Sequence, residues 1–531
     1  MTDAYKLFFD YVGSFFILYM IGYASFLFLS VTVGSSTLYQ LKRRNDLKNE
    51  LSGEYYVPVT IVVPAYNEEV TIEASIRSLL ALDYKLYEII IVDDGSRDLT
   101  SQTVINAFEL HQVNRPIHRS IPCQPEELIY ESYAWKVPIT LICKKNGGKA
   151  DALNMGINVA KYPYFICMDV DSVLQHDSLE KIVRPVLEDG HVVAVGGAVR
   201  PCNGTEIRNG HVVAYHLPRN ILPCMQVLEY DRSFLASRIL FDKFNGSIII
   251  SGAFGLFHKS TVIAAGGYDP TTMGEDMELV VKLHVYCREH DLPYRIRYAT
   301  DAICWTQAPE SLRDLCKQRK RWHIGLFQCM TRHKRMLANS KYGLVGMISY
   351  LYFLIYALLS PYIEVFGLIT VLIAFALNLV NIPFMVLFFF VYVIYSSILS
   401  LTAFFARIHQ LEQELQESNQ RFEAQKQEQL RISSTLQEAE HYAEVLHKQA
   451  EAEEQHEQEV WQKQLDLKCR ELNRYQDQIS SLHDLFHTLL CSMEEQTSAL
   501  LQQAQSIKNP CSDRHMALFE RTSEPHSKSQ E

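Results

Sequence analysis

The sequence predicts an α/β domain with a mainly parallel sheet, set between apolar membrane segments and followed by a long helical coiled coil. Three observations carry this. Short β-rich apolar runs alternate with helix-like stretches between residues 50 and 322. Residues 11–41 carry no charge and residues 342–406 carry only Glu364. Residues 407–509 contain neither Gly nor Pro, and their apolar side chains recur in steps of three and four.

The first element is an N-terminal anchor, 1–41. Its apolar run, 12–34, is longer than the ~20 residues that cross a bilayer. Asp3 and Asp10 precede it and Lys42, Arg43, Arg44 and Lys48 follow it. A cleaved signal peptide would want the reverse, a basic start and a shorter run. The positive-inside rule puts the N-terminus outside and residue 42 onward in the cytoplasm. Residues 323–341 read as a basic amphipathic interface helix. Residues 342–406 fit three tight spans, at 344–362, 364–380 and 384–406, or two spans with an interfacial stretch. Arg332, Lys334, Arg335 and Lys341 mark their leading side as cytoplasmic. The expected location is therefore the cell membrane, with residues 50–322 as a cytoplasmic catalytic domain.

The chain has 531 residues and a net charge of −11. Ten of those charges lie in 407–531, where 13 Lys and Arg face 23 Asp and Glu. This excludes a simple soluble enzyme, and no overall basic excess points to nucleic acid. The 12 cysteines form no CxxC pair and no zinc-like cluster. They read as reduced, small apolar residues.

In the central domain the strand-like runs are Thr60–Val63, Glu88–Val92, Ile139–Ile142, Tyr164–Met168 and Val192–Val195. The helix-like stretches between them are Glu68–Leu82, Lys149–Lys161 and Asp177–Glu188. In parallel α/β sheets ligands bind beyond the carboxyl ends of the strands. Polar clusters sit at those ends: Tyr66-Asn67-Glu68, Asp93-Asp94-Gly95-Ser96 and Asp169-Val170-Asp171. There is no GxxxxGK[ST] and no GxGxxG. Two carboxylates at i and i+2 past a buried strand can hold a hard divalent cation on a diphosphate, though in isolation such a pair reads first as a capped turn. Asn146-Gly147-Gly148-Lys149 offers backbone N–H groups and a cation to phosphate, as many loops do.

Taken in order, VVPAYNEE (62–69), IIIVDDGSRD (89–98), KNGGKADALNMGI (145–157), ICMDVDS (166–172), ISGAFGLF (250–257), GEDMELVVKLH (274–284) and QRKRW (318–322) resemble the family-two glycosyltransferases of the GT-A fold. The likeness is to the membrane-embedded branch of cellulose, chitin, hyaluronan and poly-N-acetylglucosamine synthases, over roughly residues 55–400. The resemblance implies roles. Glu68 and Asp93, with Asp94 as the alternative, would contact the uridine of a nucleotide-sugar donor, and Lys149 its phosphates. Asp169 and Asp171 would hold Mg²⁺ or Mn²⁺. Asp276 would be the catalytic base. Gln318, Arg321 and Trp322 match the QxxRW signature of processive members, and Ser251 and Gly252 the acceptor-side loop. Gln307 stands where relatives often carry Glu. The implied activity is inverting transfer from a UDP-sugar to a growing polysaccharide. The alternatives are addition of one sugar to a membrane lipid, or an inactive scaffold acting through its tail.

The chemistry asks for these residue types. A sugar hydroxyl needs a carboxylate to take its proton, and a departing diphosphate needs cations facing it. A retaining hydrolase would need two carboxylates flanking the bond. The tail falls outside the resemblance. It is expected to form a coiled coil over 407–509 that makes a homo-oligomer, with 510–531 disordered.

Overall fold

Strands buried on both faces must be apolar throughout, and this is what the central runs become. The computed structural model describes residues 2–48, 56–208, 211–215 and 218–379, with helical pieces between 382 and 398 and over 427–436, 439 and 467–481. Its strands are β1 (Val59–Ala65), β2 (Tyr87–Asp93), β3 (His111–Val113), β4 (Glu126–Ser132), β5 (Ile139–Lys144), β6 (Tyr164–Cys167), β7 (Val173–Leu174), β8 (Val192–Pro201), β9 (Thr205–Arg208), β10 (His211–Tyr215), β11 (Gly255–His258) and β12 (Arg295–Thr306). Among the described residues ten of them form one mixed sheet in the order β3-β4-β5-β2-β1-β6-β11-β8-β12-β7. The centre is parallel: β1 pairs with β2 and β6, and β2 with β5. Strand β11 runs antiparallel between β6 and β8. Strands β9 and β10 form a separate hairpin.

The helices of the domain are α1 (Thr2–Lys48), α2 (Ile72–Leu80), α3 (Thr100–Phe108), α4 (Lys149–Val159), α5 (Ser178–Glu188), α6 (Ile221–Arg232), α7 (Arg238–Lys243), α8 (Lys259–Ala264), α9 (Glu275–Glu289) and α10 (Leu312–Arg332). Alternate residues of β1 serve two layers. Ile61 and Val63 join Ile72, Leu79 and Ile182 on one face. Val62 joins Leu153, Met155 and Leu283 on the other. Gly156 lies so close to Val62 that a β-carbon there would collide with it, so α4 lies directly on the strand. This is the GT-A plan, here as a mixed sheet with an apolar helix ahead of it. Strands β3 and β4 extend the sheet edge antiparallel and were not foreseen.

Within α1, Leu7–Gln40 is long and apolar enough to cross a membrane. Its 34 residues span about 51 Å at 1.5 Å each. The helix docks on later elements through aromatic rings. Phe26 stacks on Tyr352 with centroids 3.9 Å apart, and Tyr356 Oη donates to the carbonyl of Tyr19 at 3.2 Å. The segments expected as two spans, 344–362 and 364–380, fall on two helical stretches, Val345–Leu358 and Ser360–Ala376, that meet at 48° and are long and apolar enough to cross a membrane only as one bent pair. Pro361 begins the second, which accounts for the bend, because proline cannot continue the preceding ladder. The 384–406 span, the coiled coil and the 510–531 tail lie outside the described residues, apart from the helical pieces named above.

Candidate active site

Parallel register brings three chain segments to one edge of the sheet. Ala65 stands beside Asp93, and Val62 beside Cys167, two residues before Asp169. The turns after β1 and β2 are stitched together. Asn67 adopts a left-handed backbone (φ 57°), its N–H donates to Ser96 Oγ at 2.9 Å, and its Oδ1 accepts from the N–H of Arg97 at 2.8 Å. Glu68 N–H donates to Thr100 Oγ1 at 2.8 Å. Its Oε2 accepts from Thr71 Oγ1 at 2.6 Å and the residue stays half-buried.

Asp93 and Asp94 reach the expected strand end, and both are buried. Asp93 accepts from the Ser96 N–H at 2.8 Å and from the Ser101 hydroxyl. Asp94 forms an ion pair with Lys144 and accepts from the N–H groups of Gly147 and Gly148 at 3.0 and 2.7 Å. In this structure Asp93 organises its own turn and Asp94 the turn that precedes Lys149.

The charged centre lies beyond β6. Lys149 opens α4, and its Nζ is 2.6 Å from Asp169 Oδ1 and 3.4 Å from Glu275 Oε1. Burial works against its charge, but Asp169 and then Glu275 outweigh it and hold the lysine above its usual pKa range. Burial raises the Glu275 carboxyl, and Asp276 adds to this against the pull of Lys149. Asp276 sits in the first turn of α9. Its Oδ2 accepts from the Gly252 N–H at 3.1 Å and its Oδ1 from the Met277 N–H at 2.7 Å. A β-carbon on Gly252 would lie 3.4 Å from Lys149 Nζ and 3.6 Å from Asp276 Cβ, so Gly252 adjoins both the cation and the carboxylate. Ser251 precedes it, and Ser251 Oγ accepts from the Ala253 N–H at 3.4 Å. His284, fully buried in α9, anchors the start of this loop: its Nε2 donates to the Ser247 carbonyl at 2.8 Å, and its Nδ1 accepts from Tyr294 at 2.8 Å.

Asp169 and Asp171 follow β6 as a pair of like charges. Burial, and then Asp169, raises the Asp171 carboxyl above its ordinary range. No group of three or more metal-ligating side chains converges among the described residues. Two hard carboxylates fit Mg²⁺ or Mn²⁺ all the same, because these ions take one or two protein carboxylates and complete their shell with phosphate and water.

Helix α10 carries the remaining expected residues. Its Ser311 cap accepts from the Asp314 N–H at 3.2 Å. Gln318 and Gln307 line one cleft of about 500 Å³ with Asn220 and Glu310. Gln318 Oε1 is buried there without a hydrogen-bond partner among the described residues. Arg321 and Trp322 are exposed. The guanidinium over the Trp322 ring, at 4.7 Å, belongs to Arg319, which is held by Glu229 through bonds of 2.7 and 2.6 Å. Gly325 packs against Gly274: a β-carbon on Gly325 would come within 2.8 Å of Gly274 Cα. Gln328 Oε1 accepts from the Met273 N–H at 2.9 Å. The signature helix is thus locked to the loop that delivers Asp276. A glycine in the middle of a 21-residue helix is the sequence signal for this contact.

Known proteins resemble this chain in sequence. The family described as glycosyl transferase family group 2 matches residues 164–406, and glycosyl transferase family 2 matches residues 60–121. The poly-beta-1,6-N-acetyl-D-glucosamine synthase of Staphylococcus aureus (strain COL) is 32% identical over 296 residues, 55% of this chain and 60% of that protein. The synthase of the same name from Staphylococcus epidermidis is 30% identical over 275 residues, 52% of this chain and 56% of its own length. The chain therefore spans somewhat more than half the length of the curated relatives it matches. Among solved structures, the mannosyltransferase PcManGT from Pyrobaculum calidifontis, in complex with GDP-Man and Mn2+, is 18% identical with a TM-score of 0.44, covering 72% of this chain and 97% of that one.

Proposed function

We propose that the chain, which matches family 2 glycosyltransferase models over residues 60–121 and 164–406, moves a sugar from a UDP-sugar, first of all UDP-N-acetylglucosamine, onto a growing polysaccharide with inversion at C1. The observation that carries this is the convergence of Lys149, Asp169, Glu275, Asp276 and Gly252 on one spot past the ends of the parallel strands. The relatives named as poly-N-acetylglucosamine synthases supply the choice of donor.

The roles follow from charge and position. Lys149, kept protonated by Asp169 and Glu275, faces the donor diphosphate and takes up negative charge as UDP leaves. Asp276 receives the proton of the acceptor hydroxyl as that oxygen attacks C1. The two N–H groups on its carboxylate aim it. Asp169 and Asp171 hold Mg²⁺ or Mn²⁺, which when bound neutralises charge on the diphosphate. Glu68 and Asp93 border the nucleoside end. Trp322, on α10, offers an aromatic face to the acceptor sugar; Gln318 and Arg321 flank the acceptor path, and Ser251 and Gly252 form its floor beside Asp276.

We place α1 across the membrane with its basic end inside, the catalytic domain in the cytoplasm, and further spans within 342–406. The helical pieces at 427–436 and 467–481 support a coiled coil over 407–509 that pairs copies of the chain. The test of the activity is a panel of labelled UDP-sugars incubated with membranes carrying the protein. Incorporation from one UDP-sugar into a high-mass product supports the reading. Incorporation from none of them removes it.

A further inference from the structure

Lys144 is a charged side chain with no exposed surface, and the chemistry above does not use it. It ends β5 and lies beside Lys145, so in sequence it passes for a solvated pair of lysines. In the structure its Nζ contacts Asp94 Oδ1, Asp151 Oδ1 at 2.7 Å and the Lys145 carbonyl at 2.8 Å. Asp94 is itself bonded to the turn that precedes Lys149, and Asp151 packs against it under Gly147. Asp94 accepts from the Gly147 and Gly148 N–H groups, and its carbonyl from Asn146 Nδ2 at 2.7 Å. Asp151, in the first turn of α4, accepts from the Gln124 N–H at 3.1 Å. The glycines are required by this packing. A β-carbon on Gly147 would fall 2.6 Å from the Asp151 carboxyl, and Gly148 has φ +89°. Every residue from 145 to 148 is thus fixed directly or at one remove by a single buried cation, and the next residue is Lys149.

We propose that Lys144 is a positioning residue for donor binding: a buried cation, paired with Asp94 and Asp151, that fixes the 145–149 turn and so sets where Lys149 meets the donor diphosphate. This rests on the reading of Lys149 as a donor contact. Removing the cation leaves two buried carboxylates facing each other uncompensated, and such a break is more disruptive than replacing the whole group. The turn would move to separate them, and Lys149 with it. The loss falls on nucleotide affinity and on the charge Lys149 offers the departing diphosphate, while Asp276 and α10, which are held by other contacts, keep their geometry.

The test uses the full chain in detergent or lipid vesicles, with UDP in Mn²⁺ as the binding probe and UDP-N-acetylglucosamine for turnover. Lys144→Met is expected to weaken UDP binding and raise the donor KM by about tenfold or more, the size of one weakened charge-assisted contact to phosphate. The kcat at saturating donor falls as well, because the displaced Lys149 no longer faces the departing diphosphate squarely. Lys144→Met combined with Asp151→Asn, which removes one charge of each sign, is expected to recover much of the affinity. A role confined to stability would lower the melting temperature and leave UDP affinity and donor KM unchanged, and that result overturns the proposal. If Lys144→Met does not accumulate folded, Asp151→Asn alone, which keeps an acceptor for Gln124, must weaken UDP binding, and unchanged binding overturns the proposal equally. Lys149→Ala is measured alongside. If it weakens UDP binding and folded Lys144→Met does not, the positioning role alone fails. If Lys149→Ala leaves UDP binding intact, the donor-site reading itself fails.

Discussion

Replacing Asp276 by Asn keeps the shape of the side chain and removes its capacity to take a proton. The carboxylate now accepts two backbone N–H bonds, from Gly252 at 3.1 Å and Met277 at 2.7 Å. An amide can keep one of these and must turn its NH₂ toward the other donor. The structural cost is thus about one hydrogen bond, roughly 1 kcal/mol. The chemical cost is larger. Loss of a general base lowers the rate by ~10²–10⁴-fold, which corresponds to ~2.7–5.4 kcal/mol in the barrier. Asp276→Asn should therefore fold, bind UDP with affinity near that of the parent, and transfer sugar at least about a hundredfold more slowly. The assay pairs initial rates from radiolabelled UDP-N-acetylglucosamine with a direct UDP titration on the same preparation. Full turnover by Asp276→Asn would refute the base assignment. So would a fall in UDP affinity as large as the fall in rate, because it would make Asp276 a donor ligand.

Three further outcomes are expected. Transfer should stop in excess EDTA, and Asp171→Ala should reproduce that loss with Mg²⁺ or Mn²⁺ restored, measured as rate against metal concentration; undiminished activity in EDTA removes the metal from the account. Gly325→Val places a side chain within 2.8 Å of the Gly274 backbone, so it should displace α10 and lower kcat while UDP binding persists, read by the same paired assay. His284, neutral and buried, has its pKa pushed down from 6.5 to about 4 by burial. The folded state therefore binds fewer protons: the contribution of His284 is complete above pH 6.5 and is lost as pH falls through about 4. That gradient is worth up to about 3 kcal/mol, so melting temperature should drop with acidification over this window, and His284→Gln should flatten the drop.

Much of the fold was legible because the central strands are buried on both faces. Thr60–Val63 and Glu88–Val92 read as strands from apolar content alone, and they lie inside β1 and β2. Strand β12 did not, since Arg295–Thr306 carries two arginines and an aspartate and slips register between Ala299 and Ile303, which breaks any simple alternation. Strand β4, Glu126–Ser132, next to the edge strand β3, was hidden for a related reason: its leading residues Glu127 and Leu128 are exposed. In the site, Lys149, Asp169 and Asp276 were readable from motif order, and the structure brings Lys149 to Asp169 and sets Asp276 beside Gly252. The pairing of Lys149 with Glu275, and of Arg319 with Glu229, depends on contacts between distant segments that no local pattern encodes. The residues read as a motif at 318–322 and an interface helix from 323 prove to share one helix, α10, which ends at Arg332 before two short 3₁₀ turns.

The central claim is inverting, polymer-forming transfer at the Lys149–Asp169–Asp276 site. The most direct measurement is the linkage and length of the product made from a UDP-sugar, by anomeric NMR coupling and size separation of one reaction. An α-linked donor displaced once must give a β linkage, so the account predicts a long β-linked chain with one UDP released per sugar added. An α-linked product, or a single sugar on a lipid with no chain growth, would contradict it.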